Sequence, residues 1–359
     1  MKDNKPLRLC VDARPLLHQG GITRYTTEMI RALSSFPHVE LVLIAHKPFS
    51  CPSAKNIIPV VDNAFSFLPG TLWFLLRAPH LAQKHACSLL WGTQHMLPLR
   101  TKNIPSLVTW HDVVWKKAPS SMKFLNRLLN NLLASSSVRN AHRILCVSRT
   151  TEKDLIHFYP KAKGKTLVIY EGKSLPDTSS ATCPYTFPFL FALGSLEPRK
   201  NIVSLLQAFE KLLLIPGFEN YHLVLTGPKG WKNHTLFRYL KTSSLQERVI
   251  LTGYLSDEEI IAYFKACKLF VFPSLYEGFG LPLLEAEGKC PVVANDIPVF
   301  RELEQVFENL RFCDFSEKPE KVALSLASLI QQNPGPLRFK KGSELTWQKA
   351  AESFVDYMF

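Results

Sequence analysis

Short apolar runs recur along the chain, and each is separated from the next by a stretch long enough for a helix. In order, the runs are LRLCVDA, VELVLIA, NIIPVV, SLLWG, PSLVTWHD, RILCVS, TLVIY, FLFALGS, YHLVLTG, RVILTGY, LFVFPS and PVVAND. They are apolar nearly throughout, which is typical of strands covered by helices on both faces of a sheet. The alternation predicts an α/β protein with two parallel, doubly wound sheets.

The segment EGKSLPDTSSATCPYTFP separates the first seven runs from the last five. It is rich in Pro, Ser and Thr and lacks periodicity, so the domain boundary is expected near residues 174–186. Helices are indicated by the amphipathic stretch after Asn201 and by SDEEIIAYFKAC, where Ser256 suits an N-cap. We therefore predict an N-terminal domain over 1–174 and a C-terminal domain over 175–345.

Composition narrows the class of protein. A hydrophobic content of 46% with 20% charged residues excludes a disordered chain. The N-terminus lacks a signal-peptide core, and Gly, Pro and Glu interrupt the most apolar stretch, so neither secretion nor a membrane span is expected. The eight cysteines are scattered without metal-ligand spacing. These features favour a cytoplasmic protein with no metal site.

The formal net charge of +13 lies entirely in the first half of the chain. Residues 1–176 hold 24 Lys and Arg against 9 Asp and Glu, whereas residues 177–359 hold 19 against 21. The first half is therefore expected to meet an anionic partner. Nucleic acid is not indicated, because basic and aromatic residues are not interleaved and no known nucleic-acid-binding module is recognisable.

The strongest candidate site is YEGFGLPLLEAE, which follows the run LFVFPS and opens a helix. Its glycines permit a tight turn, and Pro282 suits a first helical position, so a helix N-terminus that attracts phosphate is predicted here. Glu285 is placed to accept hydrogen bonds from ribose hydroxyls, and Glu277 to meet a second sugar. The alternative is that both glutamates only cap and solvate the helix.

The second candidate is GSLEPRKN, directly after the run FLFALGS. Arg199 and Lys200 project from a strand-to-helix loop, and such loops lie at the sheet edge where ligands bind. An adjacent guanidinium and ammonium neutralise a diphosphate. The alternative, two solvated basic residues before a helix, is disfavoured because EGFGLP supplies the other half of a phosphate site.

In this order, the motifs resemble those of the retaining glycosyltransferases of family four. The matching segments are GGITRY, WHD, VSRTTEKDL, GSLEPRKN, VLTGPKGW, GYLSDEE and the E-x7-E segment with its PVVAND continuation. The resemblance implies the GT-B fold, in which two Rossmann-like domains face a central cleft. It also implies that the terminal segment 346–359 packs back on the N-terminal domain.

The resemblance assigns roles to individual residues. Arg199 and Lys200 would bind the donor pyrophosphate, Glu285 the ribose, and Glu277 the transferred sugar. His111 would touch that sugar, although a histidine beside an aspartate is often structural. The other implied donor-binding positions are Gly20 and Gly21 in the first loop, Gly253 and Tyr254 at the base, and Phe279, Gly280 and Leu281 at sugar and phosphate.

Two segments depart from the family pattern. Glu171 precedes Gly172 where many members have Asn-Gly, and Glu287-Gly288-Lys289 stands where small residues are common. IYEG and GPKGW resemble segments of surface-polysaccharide mannosyltransferases.

The implied reaction is hexosyl transfer, with retention, from a nucleoside diphosphate sugar to a glycan or lipid-linked acceptor. GDP-mannose is the favoured donor substrate, and no cofactor or metal is implied. The alternative class is a non-catalytic homologue acting as an assembly or regulatory subunit, marked by loss of Glu277, Arg199 or Lys200. The donor sugar, base, acceptor, linkage and oligomeric state stay open.

A basic amphipathic stretch in the first half suggests a membrane contact. No acidic residue occurs between Asp112 and Glu152. The basic residues of this window are Lys116, Lys117, Lys123, Arg127, Arg139, Arg143 and Arg149, and the helically spaced apolar residues are Phe124, Leu125, Leu128, Leu129, Leu132 and Leu133. Such a helix can lie peripherally on the inner face of the cytoplasmic membrane. The alternative is that its leucines pack into the domain core.

Overall fold

The computed structural model describes residues 6–119 and 124–358. The chain divides into two compact units. The first comprises the chain up to Lys116, the segment Phe124–Ser174 and the C-terminal segment from Leu345 onward, and the second contains Leu175–Glu344. Each unit is built around one parallel sheet, which confirms the predicted pair of Rossmann-like domains.

The sheet of the first unit has seven parallel strands in the order β3, β2, β1, β4, β5, β6, β7. These strands are β1 (Leu7–Asp12), β2 (Val39–Ala45), β3 (Ile57–Val61), β4 (Leu89–Gly92), β5 (Ser106–Trp110), β6 (Arg143–Cys146) and β7 (Thr166–Val168). The helices of this part of the chain are α1 (Gly21–Leu33), α2 (Gly70–Lys84), α3 (Val114–Lys117), α4 (Phe124–Asn140) and α5 (Arg149–Phe158), with α12 (Trp347–Met358) at the C-terminus.

The central strands of this sheet are apolar because helices cover both faces. Every residue of β4 and β5 is buried, including Trp91 and Trp110. On one face Trp73 and Phe74 of α2 pack against Val42 and the neighbouring strands. Burial of such large side chains is the main stabilising term of the unit.

The C-terminal helix α12 packs on α1 within the first unit. The ring of Phe354 lies 5.1 Å from that of Trp91, and Trp347 donates a hydrogen bond from Nε1 to Ser174 Oγ at 3.0 Å. A Cβ added to Gly172 would lie 2.2 Å from the backbone nitrogen of Trp347, so only glycine fits there. These contacts hold the segment that follows β7, around Gly172 and Ser174, against the C-terminal helix.

The sheet of the second unit has six parallel strands in the order β10, β9, β8, β11, β12, β13. They are β8 (Phe189–Leu193), β9 (His222–Thr226), β10 (Val249–Gly253), β11 (Leu269–Phe272), β12 (Val292–Asn295) and β13 (Arg311–Cys313). The helices are α6 (Ile202–Leu212), α7 (His234–Thr242), α8 (Asp257–Ala266), α9 (Leu281–Ala286), α10 (Pro298–Leu303) and α11 (Pro319–Gln332).

The strand order of the second unit is that of a doubly wound sheet. The chain starts at the central strand β8, moves outward to β10, and then crosses back to β11 on the other side of β8. Loops leaving β8 and β11 therefore diverge, which opens a crevice at the carboxyl ends of these two strands. Within the described ranges, no helix is long and apolar enough to cross a membrane.

Candidate active site

The two candidate motifs leave the two strands that flank this crevice. GSLEPRKN follows β8, and YEGFG follows β11. The loops are joined where the backbone N–H of Leu275 donates to the carbonyl of Arg199 at 2.8 Å. Asn295, at the end of β12, is buried and donates to the carbonyl of Ser274 at 3.0 Å, which fixes the second loop from its other side.

Arg199, Lys200 and Glu277 meet in one buried ion cluster. Glu277 accepts a hydrogen bond from Lys200 Nζ at 2.6 Å on Oε1 and one from Arg199 Nη1 at 2.7 Å on Oε2. The same Arg199 nitrogen also donates to the carbonyl of Tyr276 at 3.2 Å. On its other side, Arg199 Nε forms an ion pair with Glu197 Oε1 at 2.7 Å. Two cations and two carboxylates thus alternate.

Burial and charge set the ionisation of this cluster. Glu277 and Lys200 are each only 8% exposed. Burial on its own raises the pKa of Glu277, but Arg199 and Lys200 outweigh it and bring that pKa down to about 2. Burial lowers the pKa of Lys200, and Glu277 opposes that effect. Glu277 is therefore a carboxylate at every physiological pH.

Glycines let the backbone approach Lys200 closely. Gly194 has φ of +145°, and a Cβ there would lie 3.2 Å from Cε of Lys200. Gly227, with φ of +138°, packs so tightly that a Cβ would lie 2.2 Å from the carbonyl oxygen of Gly194. These contacts explain why glycine begins both GSLEPRKN and GPKGW.

The loop after β11 turns at Gly280, whose φ is +116° and whose Cβ position is blocked by the Phe300 ring at 2.9 Å. Helix α9 begins directly afterwards and has only six residues, with Pro282 in its first turn. Glu285 is 5% exposed, and Phe279 and Leu281 are also buried. Glu277 and Glu285 are thus both buried, so neither is a solvated surface residue. The short helix leaves Arg199 and Lys200 as the main positive charges of the site.

The remaining predicted site residues of the second unit, Gly253 and Tyr254, lie at the end of β10, on the opposite side of β8 from β11. Gly253 ends β10 with φ of +73°, and its carbonyl accepts a hydrogen bond from Gly227 N at 2.8 Å. Tyr254 follows and is 60% exposed, so its ring is accessible to a ligand. Beneath Lys200 the loops enclose a small pocket between β8 and β11, lined by Ala192, Gly194, Leu196, Lys200, Phe272 and Ser274.

The predicted residues of the first unit lie after β1 and β5. Gly20, with φ of +138°, precedes α1, and Gly21 is the first helical residue. Both are exposed. His111 is mostly buried, and its Nε2 lies 2.9 Å from the carbonyl oxygen of Thr93 at the end of β4. Its Nδ1 lies 3.6 Å from Oε1 of the buried Glu171.

Sequence reasoning did not single out several residues of these sites. Glu197 is part of GSLEPRKN, but a glutamate before proline gives no sign that it will pair with Arg199. Asn295 is the last residue of β12, within the run PVVAND, and a polar residue at a strand end is a usable signal. The contact between Glu171 and His111 joins positions 60 residues apart and has no sequence signature.

Two protein-family models match the chain. Residues 19–174 match Glycosyltransferase Family 4, and residues 181–345 match Glycosyl transferases group 1. Together the two matches span most of both units. The chain therefore belongs to the glycosyltransferases that combine these two domains.

Several mannosyltransferases have sequences similar to that of this chain. The chain is 27% identical to O-antigen chain mannosyltransferase B of Escherichia coli, over 79% of this chain and 80% of that protein. It is 32% identical to the serotype-specific mannosyltransferase WbdA of Escherichia coli, over 92% of this chain. The match covers 42% of WbdA, so the chain spans less than half the length of that relative.

Solved structures resemble the whole chain. Sucrose-phosphate synthase from Thermosynechococcus elongatus matches with a TM-score of 0.76 at 18% identity, over 99% of this chain and 98% of that one. Anabaena HepE in complex with UDP and glucose matches with a TM-score of 0.70 at 18% identity, over 98% and 99%. These likenesses establish the GT-B class of fold.

Proposed function

We propose that this glycosyltransferase moves a hexosyl group, with mannose favoured, from a nucleoside diphosphate sugar to a hydroxyl of a glycan or lipid-linked acceptor, with retention at the anomeric carbon. GDP-mannose is the favoured donor. The names of its mannosyltransferase relatives support the sugar and the link to O-antigen synthesis. The HepE complex with UDP and glucose supports a nucleotide-sugar donor.

The observation that carries the proposal is the buried cluster of Arg199, Lys200 and Glu277 at the crevice between β8 and β11. In a doubly wound sheet this crevice is where nucleotides bind. In the reaction, the bond between the anomeric carbon and a diphosphate oxygen breaks, and the acceptor hydroxyl oxygen forms the new bond while its proton passes to the departing diphosphate. The departing diphosphate gathers negative charge, which Arg199 and Lys200 stabilise.

The two carboxylates of the cluster make the site electrically balanced before the donor binds. Arg199 and Lys200 already contact Glu277, and Arg199 also contacts Glu197. A diphosphate must therefore share these cations with Glu277 or release that carboxylate. We propose that Glu277 then turns to the transferred sugar, where its hydrogen bonds orient the hydroxyls. Glu285 is the proposed ribose ligand.

The non-catalytic alternative receives no support from the site. Its mark would be loss of Glu277, Arg199 or Lys200. All three residues are present and in mutual contact.

A donor screen by nucleotide release tests the proposal. GDP-mannose, GDP-fucose, UDP-glucose, UDP-galactose and UDP-N-acetylglucosamine are each incubated with the protein and a lipid-linked acceptor extract, with and without EDTA. We expect GDP release from GDP-mannose, unaffected by the chelator. Release of UDP alone would reject the proposed donor, and strict dependence on Mg²⁺ or Mn²⁺ would reject the metal-free mechanism.

Replacement of Lys200 by Ala should lower turnover by about 10²-fold or more, because one preorganised donor to the diphosphate is lost. Lys265, an exposed residue in the last turn of α8, provides a control, and Lys265→Ala should leave turnover unchanged. An unchanged rate in K200A would contradict the assignment.

We also propose that the first unit docks on an anionic membrane surface. Lys123 and the side chains of Phe124 and Leu125 lie outside the described residues. On the rest of α4, Leu128, Leu129 and Leu132 are 46%, 49% and 61% exposed. These three leucines therefore do not pack into the domain core. Such exposed apolar residues in a basic segment favour an interfacial contact.

A further inference from the structure

One ring nitrogen of His111 already makes a hydrogen bond within the protein. Its Nε2 lies 2.9 Å from the backbone carbonyl oxygen of Thr93. A carbonyl oxygen only accepts hydrogen bonds, so Nε2 must carry a proton. In a neutral ring, Nδ1 would then be a bare acceptor.

The other ring nitrogen faces a carboxyl group. Glu171 Oε1 lies 3.6 Å from Nδ1, and Glu171 is only 4% exposed. A bare imidazole nitrogen and a carboxylate would both present lone pairs across this gap, which is unfavourable. A second proton on Nδ1 removes the repulsion and supplies the buried carboxylate with the opposite charge that it needs.

We propose that Glu171 is a positioning residue that fixes the orientation of His111 and stabilises a second proton on its Nδ1. An amide at this position could also orient a histidine, but it would supply no charge.

Other titratable side chains lie near His111 besides Glu171. Tyr25 of α1 packs edge-on against the ring at 4.7 Å, and burial raises the pKa of its hydroxyl, which stays neutral. Burial likewise lowers the pKa of His95, after β4, so it stays uncharged. Asp112, the next residue along the chain, accepts a hydrogen bond from Val114 N at 3.0 Å.

The backbone next to Glu171 is tightly packed. Gly172 packs against the backbone of Trp347, and the Trp347 ring lies 5.8 Å from that of Tyr25. Burial raises the pKa of Glu171, and His111 opposes this effect. The same tight packing makes Glu171→Gln the appropriate variant, because it keeps the shape of the side chain and removes its charge.

The test is a pH titration of the His111 ring followed by ¹⁵N NMR in the full-length protein. The variant His111→Gln identifies the resonances. In Glu171→Gln, the ring should lose its second proton at a pH lower by about one unit or more than in the wild type. His142, whose Nδ1 accepts from Ser106 N at 3.0 Å, is the internal control and should titrate equally in both.

Two results would overturn the proposal. One is the same His111 titration in the wild type and in E171Q. The other is a His111 ring that stays singly protonated beside a protonated Glu171 carboxyl group, seen in its ¹³C shift. If E171Q is poorly folded by its melting temperature, Glu171→Asn, which also removes the charge and keeps an amide, takes its place with the same expected direction.

The catalytic consequence rests on the proposed function and on the predicted contact of His111 with the transferred sugar. If the doubly protonated ring is the active form, the ratio of wild-type to E171Q turnover should rise with pH between the two titrations. A purely structural role would lower turnover equally at all pH values. Because NMR needs no donor, a shifted titration without any transfer would reject the proposed function and leave this inference standing.

Discussion

At the scale of single residues, Glu277 is held by the two cations that the proposed donor also needs. Lys200 and Arg199 contact its two oxygens at 2.6 Å and 2.7 Å. Its pKa of about 2 means that the carboxylate stays charged throughout any usable assay. No acidic limb near pH 4 to 5 in the pH profile of kcat/KM, which reports the free enzyme, should therefore come from Glu277. Its charge competes with a diphosphate for Arg199 and Lys200.

The two glutamates of the E-x7-E segment should differ when each is changed to Gln. Glu277→Gln should lose about 10²-fold or more in turnover but bind free GDP at least as tightly as the wild type, because one competing charge is gone. Glu285→Gln should weaken GDP binding about tenfold, since charged hydrogen bonds to the ribose are lost. Isothermal titration with GDP measures both. Equal weakening in the two variants would defeat this division of roles.

Much of this site could be predicted from residue types and order, because the motifs leave strands at one sheet edge. The alternation of strands and helices places Arg199 and Glu277 near each other without any distance being known. The ion pair of Glu197 with Arg199 could not be predicted, because it depends on how one loop folds back on itself. Glu171 was noted only as a departure, since its contact with His111 is made in three dimensions.

At the scale of elements, the apolar runs predicted every strand from β1 to β12. The apolar character of the central strands follows from burial on both faces, whereas β3, β7 and β10 at the sheet edges are only partly buried. β13 was missed because its three residues, RFC, begin with an exposed arginine and form too short a run. Ser256 is confirmed as the N-cap of α8, where it and Glu259 form a reciprocal capping box.

The tight contact between the loops after β8 and β9 makes Gly227 a sensitive position. Gly227→Ala should destabilise the protein by several kcal/mol, because the new Cβ lies 2.2 Å from the Gly194 carbonyl oxygen as well as at a positive φ. Gly217 has φ of +91° with open space around its Cβ position, so Gly217→Ala should cost only about 1 kcal/mol.

Urea unfolding of the two variants separates backbone strain from steric overlap. G227A should also lose turnover, since the displaced Gly194 packs against Lys200. Equal destabilisation of G217A and G227A would show that the loops move apart without cost. In that case Gly227 would not be required to position Lys200.

At the scale of the whole molecule, charge and apolar exposure coincide in the first half of the chain. The excess of basic residues lies within residues 1–176, and the exposed leucines of α4 lie inside its acid-free window. Each basic residue near an anionic surface contributes roughly 1 kcal/mol. Four or five suitably placed residues therefore suffice for reversible binding, and the exposed leucines add apolar contact.

Co-sedimentation with vesicles tests this docking. The protein should pellet with vesicles that contain about 30% phosphatidylglycerol, and much less with vesicles of pure phosphatidylcholine. Binding should weaken as the salt concentration rises. Changing Lys116, Lys117, Lys123 and Arg127 to Glu should abolish it. Changing Leu128, Leu129 and Leu132 to Ser should weaken binding in a way that salt does not alter, because the lost contact is apolar.

A matched control comes from the second unit, where Lys229, Lys232, Lys241 and Lys265 offer an equal number of basic residues. Their replacement by Glu changes the net charge by the same amount as replacement of the four residues around α4. If docking depends on that segment, this control should keep most of the binding to anionic vesicles. Equal loss of vesicle binding in both sets of variants would show that net charge alone attracts the protein. Binding that does not depend on lipid charge would contradict the docking proposal, and the basic residues would then be assigned to an anionic acceptor.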